Sequence, residues 1–368
     1  MRVTNVSLTD FRCYQAVELE LAAGVTVVRG DNGQGKTSLL EAVAWAALSR
    51  SFRGVPDAAL IRDGAEQAIV RIQIEDDAAR RRRVEAELRA LGRNRVLLDG
   101  NPLTRTRDLL GALRVTVFAP DDLELVKGGP SNRRTYLDDL LVEVGPRYAA
   151  ARADYDRVLR HRNALLRAGI RNDDARATLD VFDEQLVLAG AELVRGRLRL
   201  GERLGPGVTS AYCDLAGDKA SVGTRYSAEW ADGAAPDPDA VPDALRKALQ
   251  VHHRRELERG VTLVGPHRDE WHLTVDGLDA RTHASQGEQR TLALALRLAG
   301  HRVVAEVTGE DPVLLLDDVF SELDDRRAAA LVERLPATQT LLTTAGSLPR
   351  GVTPASQMRL AAGRLEPG

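Results

Sequence analysis

The sequence predicts a mixed α/β fold with α+β elements, in which a head is built from both ends of the chain and a mainly helical arm is inserted between them. Three observations carry this expectation. Near the N-terminus a β-branched run, GVTVVRG, stops at glycine and passes through a glycine-rich turn into a helix. Near the C-terminus an apolar run, PVLLLDD, ends in paired aspartates. Between them, after Gly128-Gly129-Pro130, glycines thin out and apolar residues recur at helical spacing: Leu137, Leu140, Leu141 and Val144, then Leu159, Leu165 and Leu166.

Taken in order, VTNVSLTDF alternates apolar and polar residues and reads as a strand, followed by the strand GVTVVRG and an amphipathic helix from Lys36 to Leu48. AIVRIQI, RRVEAEL, RVLLDGNPL (with a turn at Asp99-Gly100) and LRVTVFAP are further strands. Helix is expected from Asn132 to about Leu200. Pro236, Pro238 and Pro242 lie among small and acidic residues, which marks a loop near 228–243. Helix resumes at DALRKALQVHHRRELERG. VTLVG and WHLTV read as strands, then a helix from Ser285 to about Ala299, the strand PVLLLDD, a helix from Asp324 and the strand TQTLLTT. The last few residues read as disordered, and no internal repeat is visible. The expected boundaries are 1–127 and 260–368 for the head and 128–259 for the arm.

Composition bounds the function classes. A chain of 368 residues with 43% hydrophobic and 29% charged content is an ordinary globular balance. The opening MRVTNVSLTDFRCYQ has no apolar stretch of signal length, and runs such as PVLLL are too short to cross a bilayer, so a cytoplasmic protein without a membrane partner is expected. Cys13 and Cys213 are isolated, which supports neither a disulfide framework nor a cysteine zinc site. The net charge of -3 does not advertise a nucleic-acid partner, and 47 arginines stand against four lysines. One of those four is Lys36.

Gly30, Gly35, Lys36 and Thr37 fit G-x-x-x-x-G-K-[ST] between a strand and a helix, which is the context this motif requires. The candidate nucleotide-binding set is Gly30, Asp31, Asn32, Gly33, Gln34, Gly35, Lys36, Thr37 and Ser38. Small residues let successive backbone N–H groups turn inward around a phosphate, and the helix N-terminus adds partial positive charge. Lys36 then reaches the β- and γ-phosphates of ATP, and the Thr37 hydroxyl binds Mg²⁺. The alternative is a plain strand-to-helix turn that happens to carry a lysine, and the scarcity of lysine weighs against it. In PVLLLDD, Asp317 would hold the Mg²⁺ shell and Asp318 would act on the attacking water as general base. These motifs must meet at one ion although nearly the whole chain separates them, so the helical middle is an insertion. SQGEQ, comprising Ser285, Gln286, Gly287, Glu288 and Gln289, opens a helix and matches the S-x-G-x-Q signature of ABC-type ATPases. SELDD follows Asp318 at the spacing of their dimer loop. By itself a Ser-Gln-Gly turn is only a helix cap.

With these motifs, PDDLELVKGGPSNRRTYLD, LLDDVFSELDDRRAAAL and GPHRDE resemble segments of the RecF family, bacterial recombination-mediator ATPases of the SMC-like ABC class, and the resemblance covers essentially the full length. It implies an ABC/SMC-like P-loop ATPase head with an inserted helical arm. It further implies an ATP-dependent homodimer, each nucleotide lying between Lys36 of one copy and Ser285 of the other, and a weak, DNA-stimulated ATPase. Double-stranded DNA and its junctions with single strands are the implied ligands, RecR with RecO the implied partners, and recombinase loading at gaps in replication, repair and the SOS response the implied role, in a nucleoid-associated protein. Arg12 in DFRCY resembles the N-terminal arginine that approaches the nucleotide in SMC-type heads. The chain also departs from the pattern. Ala284 replaces a leucine-like residue before the signature, and Asp318 is one methylene shorter than the usual glutamate, which points to slow hydrolysis. Ala119-Pro120-Asp121 stands where a Q-loop glutamine is sought, and Thr343-Thr344 where transporters carry a histidine.

Other signals are weaker. His267 and His272 flank Asp269 and Glu270 at a spacing that fits a structural turn better than a metal site, and His252-His253 reads as a solvated pair. Arg80, Arg81, Arg82 and Arg83, and Arg152, Arg157, Arg160, Arg162 and Arg167 on the arm, are candidate phosphate contacts, although acids intersperse or flank both stretches. The 14 aromatic residues lack the spacing of a stacking platform for single strands. Two other functions compete. A transporter nucleotide-binding subunit is opposed by the missing glutamine and histidine, and an SMC-type tether by the lack of sustained heptads and of a C-x-x-C hook.

Overall fold

A computed structural model describes residues 1–76, 78–217, 220–361 and 363–367. The chain begins with β1 (Arg2–Phe11), β2 (Tyr14–Glu20), β3 (Val25–Arg29) and α1 (Lys36–Leu48), followed by β4 (Gln67–Glu75), β5 (Arg81–Arg89), β6 (Arg95–Leu98), β7 (Asn101–Pro102) and β8 (Val115–Phe118). Helices α2 (Glu124–Lys127), α3 (Pro130–Val144), α4 (Pro146–Ala168) and α5 (Asp173–Ala216) come next, then β9 (Val222–Ser227) and α6 (Val241–Arg259). After these come β10 (Glu270–Val275), β11 (Leu278–Asp279), α7 (Ala280–His283) and α8 (Gln286–Thr308). The chain closes with β12 (Val313–Asp317), α9 (Asp325–Arg334), β13 (Thr340–Thr344), β14 (Ser356–Ala361) and β15 (Arg364–Pro367).

Two compact units result: Met1–Asp122 with Asp214–Gly217 and Arg297–Gly368, and Leu123–Cys213 with Asp218–Leu296. The first holds two six-stranded sheets. One is antiparallel, ordered β2-β1-β4-β5-β6-β7, and its strands alternate: Ala68, Val70, Ile72 and Ile74 of β4 and Val84, Ala86 and Leu88 of β5 face the core. The other is ordered β15-β14-β3-β13-β12-β8, parallel from β14 to β8 with β15 antiparallel at the edge. Its strands β12 and β13 are buried at every position, as a sheet covered on both faces requires. Helix α1 packs on β1, β4 and β5 of the first sheet and on β8, β12 and β13 of the second. It is therefore buried on all sides, and the expected amphipathic helix is not seen; Leu39, Leu40, Val43 and Trp45 are fully enclosed. The two ends of the chain are tied by Gln339, which receives Val3 N–H on Oε1 and donates Nε2–H to Val3 O, both at 2.7 Å.

The second unit contains helices α2 to α4, α6 and α7 and the small sheet β11-β10-β9. Pairing of β10 with β9, in which Trp271 lies opposite Tyr226, groups residues 260–296 with the helices, whereas the sequence boundary had placed them in the head. VTLVG does not form a strand. The backbone N–H of Thr262 donates to Asn163 Oδ1 (2.7 Å) and that of Leu263 to Glu256 Oε1 (2.6 Å), so side chains take the donors a ladder would need. Helix α5 continues beyond the expected Leu200 to Ala216, with Pro206 inside it. The C-terminal residues, expected to be disordered, form the β14-β15 hairpin; Gly368 lies outside the described residues.

Candidate nucleotide site

Strand β3 ends at Arg29, α1 begins at Lys36, and the loop between them depends on its glycines. Gly33 and Gly35 have φ of 80° and 106°, in the left-handed region that side chains resist. A Cβ on Gly30 would sit 2.5 Å from Leu360 O, and one on Gly35 would run into Cys13 Sγ. The loop is braced from below by Tyr14, fully buried, whose hydroxyl donates to Gly35 O at 2.9 Å. Burial holds that phenol well above its ordinary pKa, so it remains a donor. Lys36 Nζ donates to Gly30 O (2.7 Å) and Asp31 O (3.0 Å), with Asn32 Oδ1 at 3.5 Å. No side chain caps α1, so the N–H groups of its first turn are available to an anion.

Asp317 ends β12, and its Oδ1 accepts from Thr37 Oγ1 at 2.9 Å and from Thr343 Oγ1 at 2.8 Å. Thr343 lies on β13, the strand between β3 and β12, which is how the phosphate loop and the acidic strand end meet. Burial raises the Asp317 pKa, opposed by hydrogen bonds first from Thr343 and then from Thr37. Asp318 adopts a left-handed conformation (φ 49°) and donates its N–H to Thr343 O and Oγ1, each at 3.1 Å. Its Oδ1 is buried with no hydrogen-bond partner among the described residues. The Thr37 hydroxyl and the Asp317 carboxylate are oxygen donors suited to a hard cation such as Mg²⁺, and the unpartnered Asp318 oxygen is an acceptor of the kind a general base needs.

Arg12, in the turn between β1 and β2, contacts α1. Its guanidinium forms a two-pronged ion pair with the buried Glu41 (2.8 and 2.9 Å) and donates to Ala59 O (2.9 Å). At Ala119-Pro120-Asp121 the buried carboxylate belongs to the next residue, Asp122, which accepts from Ala119 N–H (2.9 Å) and from Arg297 Nη2 (2.6 Å). In SELDD, Asp324 caps α9 by accepting from Arg327 N–H at 2.8 Å.

The signature segment opens α8. Ser285 N–H donates to Glu288 Oε2 (2.7 Å) and Glu288 N–H to Ser285 Oγ (3.3 Å), while Ser285 and Gln286 are exposed and Gly287 is half-buried. The buried Gln289 donates to Ala280 O and Arg281 O, both at 3.0 Å, which fixes α7 to the first turn of α8.

The arginine candidates are mostly engaged with acids. Arg80 bonds Asp76 (2.7 Å), Arg82 bonds Asp99 (3.3 Å), Arg83 bonds Glu85 (2.9 Å), and Arg81 lies opposite Glu75 in the β4-β5 register. Arg152 bonds Asp139 at 2.9 Å, and Arg160 is exposed on α4. Arg162 cannot line a surface: it is fully buried, bonded to Asp183 (2.5 Å), Glu256 (2.7 Å) and Thr262 (2.9 Å). His267 pairs with Tyr155 Oη (2.6 Å) and His272 with Ser227 Oγ (2.9 Å), each within the second unit's framework. Sequence reasoning missed Tyr14 and the Asp317 contact of Thr343. No motif marks either one, although Thr343 was already conspicuous as the residue standing where a histidine was sought.

The RecF/RecN/SMC N terminal domain family matches residues 2–345. The chain is 48% identical to the DNA replication and repair protein RecF of Frankia alni, over 94% of this chain and 93% of that protein. It is 46% identical to the protein of the same name from Kineococcus radiotolerans, with 94% and 93% covered. The solved structure of "the recombination mediator protein RecF-ATP in RecFOR pathway" superimposes with a TM-score of 0.90 at 30% identity, covering 100% of this chain and 97% of that one. Agreement of sequence and fold over nearly the whole length means that the chain belongs to the RecF family of DNA replication and repair proteins, with an SMC-like ATPase head.

Proposed function

We propose that this chain is an ATP-switched clamp on DNA. ATP brings two copies together, the closed pair holds double-stranded DNA at its junctions with single strands, and slow, DNA-stimulated hydrolysis releases it. The observation that carries this reading is the 2.9 Å contact between Thr37 and Asp317, which are 280 positions apart. It joins a phosphate loop to an acidic strand end, the two halves of a nucleotide-hydrolysing site. Lys36 exchanges the Gly30 and Asp31 carbonyls for the β- and γ-phosphates, and the first-turn N–H groups of α1 hold the β-phosphate. Mg²⁺, held by Thr37 and Asp317, would supply charge neutralisation on the phosphate oxygens. Asp318 takes the proton of the attacking water as that water's oxygen bonds the γ-phosphorus and the bond to ADP breaks. Its short side chain makes turnover slow.

In the pair, each nucleotide held by Lys36 of one copy meets Ser285 of the other, whose helix N-terminus and hydroxyl recognise the γ-phosphate. Arg12, through Glu41, positions α1 behind the phosphate loop. The ion-paired Arg80, Arg82, Arg83 and Arg152 must leave carboxylates to reach DNA phosphates, so DNA binding is weak in one copy and salt-sensitive. The solved relative belongs to the RecFOR pathway, and we assign this chain the corresponding partners, RecR with RecO, in the cytoplasm on the nucleoid. A transporter subunit gains no support, because these relatives are repair proteins.

The test is molecular mass by light scattering with ATP or ADP, with and without duplex DNA, for the native chain, Lys36→Met and Ser285→Arg. The expected result is ATP-only dimers with tighter DNA binding, lost in both variants, while Ser285→Arg still binds nucleotide as a monomer. A native chain that stays monomeric with bound ATP would remove the clamp and leave a solitary nucleotidase.

A further inference from the structure

Strand β13 brings one hydroxyl to both aspartates at the end of β12. In the parallel β12-β13 pairing Thr343 lies opposite Asp317, the last residue of β12, and it is fully buried there. A threonine hydroxyl has one proton to give and two lone pairs to offer. The proton goes to Asp317 Oδ1 at 2.8 Å, with Leu316 O farther off at 3.4 Å, and a lone pair receives the Asp318 N–H at 3.1 Å. Asp318 has left the strand in a left-handed conformation, φ 49°, which a residue with a side chain keeps only where its surroundings hold it. Here they hold it on both sides: Thr343 O and Oγ1 accept its N–H, and its C=O accepts from Ser321 N–H (3.2 Å) and Ser321 Oγ (2.7 Å). The backbone is thus fixed while Asp318 Oδ1 is left without a hydrogen-bond partner among the described residues.

We propose that Thr343 is a positioning residue for hydrolysis: its hydroxyl locks the left-handed turn that fixes where the Asp318 carboxylate stands, and it ties that turn to Asp317, which would hold the cation. This role rests on the hydrolysing site proposed above, in which Asp318 takes the proton of the attacking water. Thr343 touches neither water nor phosphate in it and acts through the two aspartates. A buried parallel strand does not ask for a hydroxyl at this position, since valine suits such a strand as well as threonine does. Nor does the backbone of Asp318 depend on it to avoid an orphaned donor, because Thr343 O already accepts the same N–H at 3.1 Å. What the hydroxyl adds is the link between the two aspartates, so this contribution can be separated from the strand's.

The experiment compares the full native chain, Thr343→Val and Thr343→Ser by steady-state ATP turnover with duplex DNA, by ATP binding to the monomer, and by hydrogen exchange of the Asp318 amide without nucleotide. Thr343→Val is expected to lower kcat on the order of tenfold, the effect of one lost hydrogen bond to a charged group, with KM and monomer affinity within about twofold of native. Thr343→Ser keeps the hydroxyl without the methyl and should restore most of the turnover. The Asp318 amide should exchange faster in Thr343→Val and at the native rate in Thr343→Ser, a readout that does not pass through activity. Native kcat in Thr343→Val, an equal loss in Thr343→Ser, a loss confined to KM, or unchanged exchange at Asp318 overturns the role of Thr343 and leaves the ATPase standing. A native chain that binds ATP and never turns it over removes both.

Discussion

Replacing Gly35 by alanine should weaken ATP binding for two separable reasons. The first is conformational: alanine held at φ 106° costs about 1–2 kcal/mol, the penalty for left-handed backbone. The second is steric, since the new Cβ would meet Cys13 Sγ, with Tyr14 Oη and Cζ at 3.4 and 3.5 Å. The Tyr14 contacts are tolerable, whereas the sulfur must move, at about 1–3 kcal/mol for overpacking. In the free protein the loop relaxes to escape both costs and must repay them when it closes on a triphosphate, so at 1.4 kcal/mol per tenfold the sum predicts a loss of ATP affinity on the order of a hundredfold. Cys13→Ala should alter affinity little, because the thiol makes a long contact to Gln34 O at 3.7 Å and a weak hydrogen bond with the Ser38 side chain. Combined with Gly35→Ala, it should recover the steric part, roughly tenfold, and leave the conformational part. The assay is calorimetric titration of ATP into the four proteins of this double-mutant cycle. Strict additivity of the two substitutions, with no rescue, would refute the account of why glycine stands at position 35.

Two further outcomes follow from buried charge. Arg162→Met should destabilise the second unit by about 3–5 kcal/mol, because it leaves the fully buried Glu256 without its cation; hydrogen exchange in α4 and α6 should rise sharply, and little change there would show that the pair is dispensable. Burial depresses the pKa of His301 and of His267 to about 4, so the folded state holds fewer protons than the unfolded chain between that value and 6.5. Stability is thus full above pH 6.5 and falls toward pH 4, by up to about 3 kcal/mol per histidine. Asp269, raised to about 6 by burial, acts in the opposite sense in the second unit, since its extra bound proton favours the fold below that pH. Exchange measured from pH 7 to 4 should therefore show a steeper acid loss in the first unit than in the second, and His301→Gln should flatten the first; equal slopes would contradict the assignment.

What the sequence disclosed depended on whether a residue's partner was local. The span of α1 was readable because β-branched residues, glycines and Lys36 follow one another directly. Its burial was not readable: KTSLLEAVAWAAL carries Glu41 among apolar residues, which suggests a wet face, but Arg12 neutralises Glu41 from the distant turn between β1 and β2. VTLVG had the composition of a strand, and was prevented from forming one by Asn163 and Glu256, side chains that composition does not connect to it. β9 and β14 mix polar and apolar residues without clear alternation, so only their pairing partners reveal them. At the site, the aspartates at 317 and 318 were legible from their strand, while the role of Thr343 required knowing that β13 lies between β3 and β12.

The groups that ATP would need are already bonded within the chain, so binding is an exchange of partners. Lys36 trades two neutral carbonyls for phosphate oxygens, a change from neutral-acceptor to charge-assisted hydrogen bonds, which are roughly twice as strong. Thr37 already donates to a carboxylate, so it gains little from leaving it. In the proposed clamp, Lys36 and the first-turn N–H groups of α1 therefore carry most of the gain in phosphate binding. Exchange of one set of partners for another keeps the net gain small, and a small gain is what the proposed switch needs in order to open again.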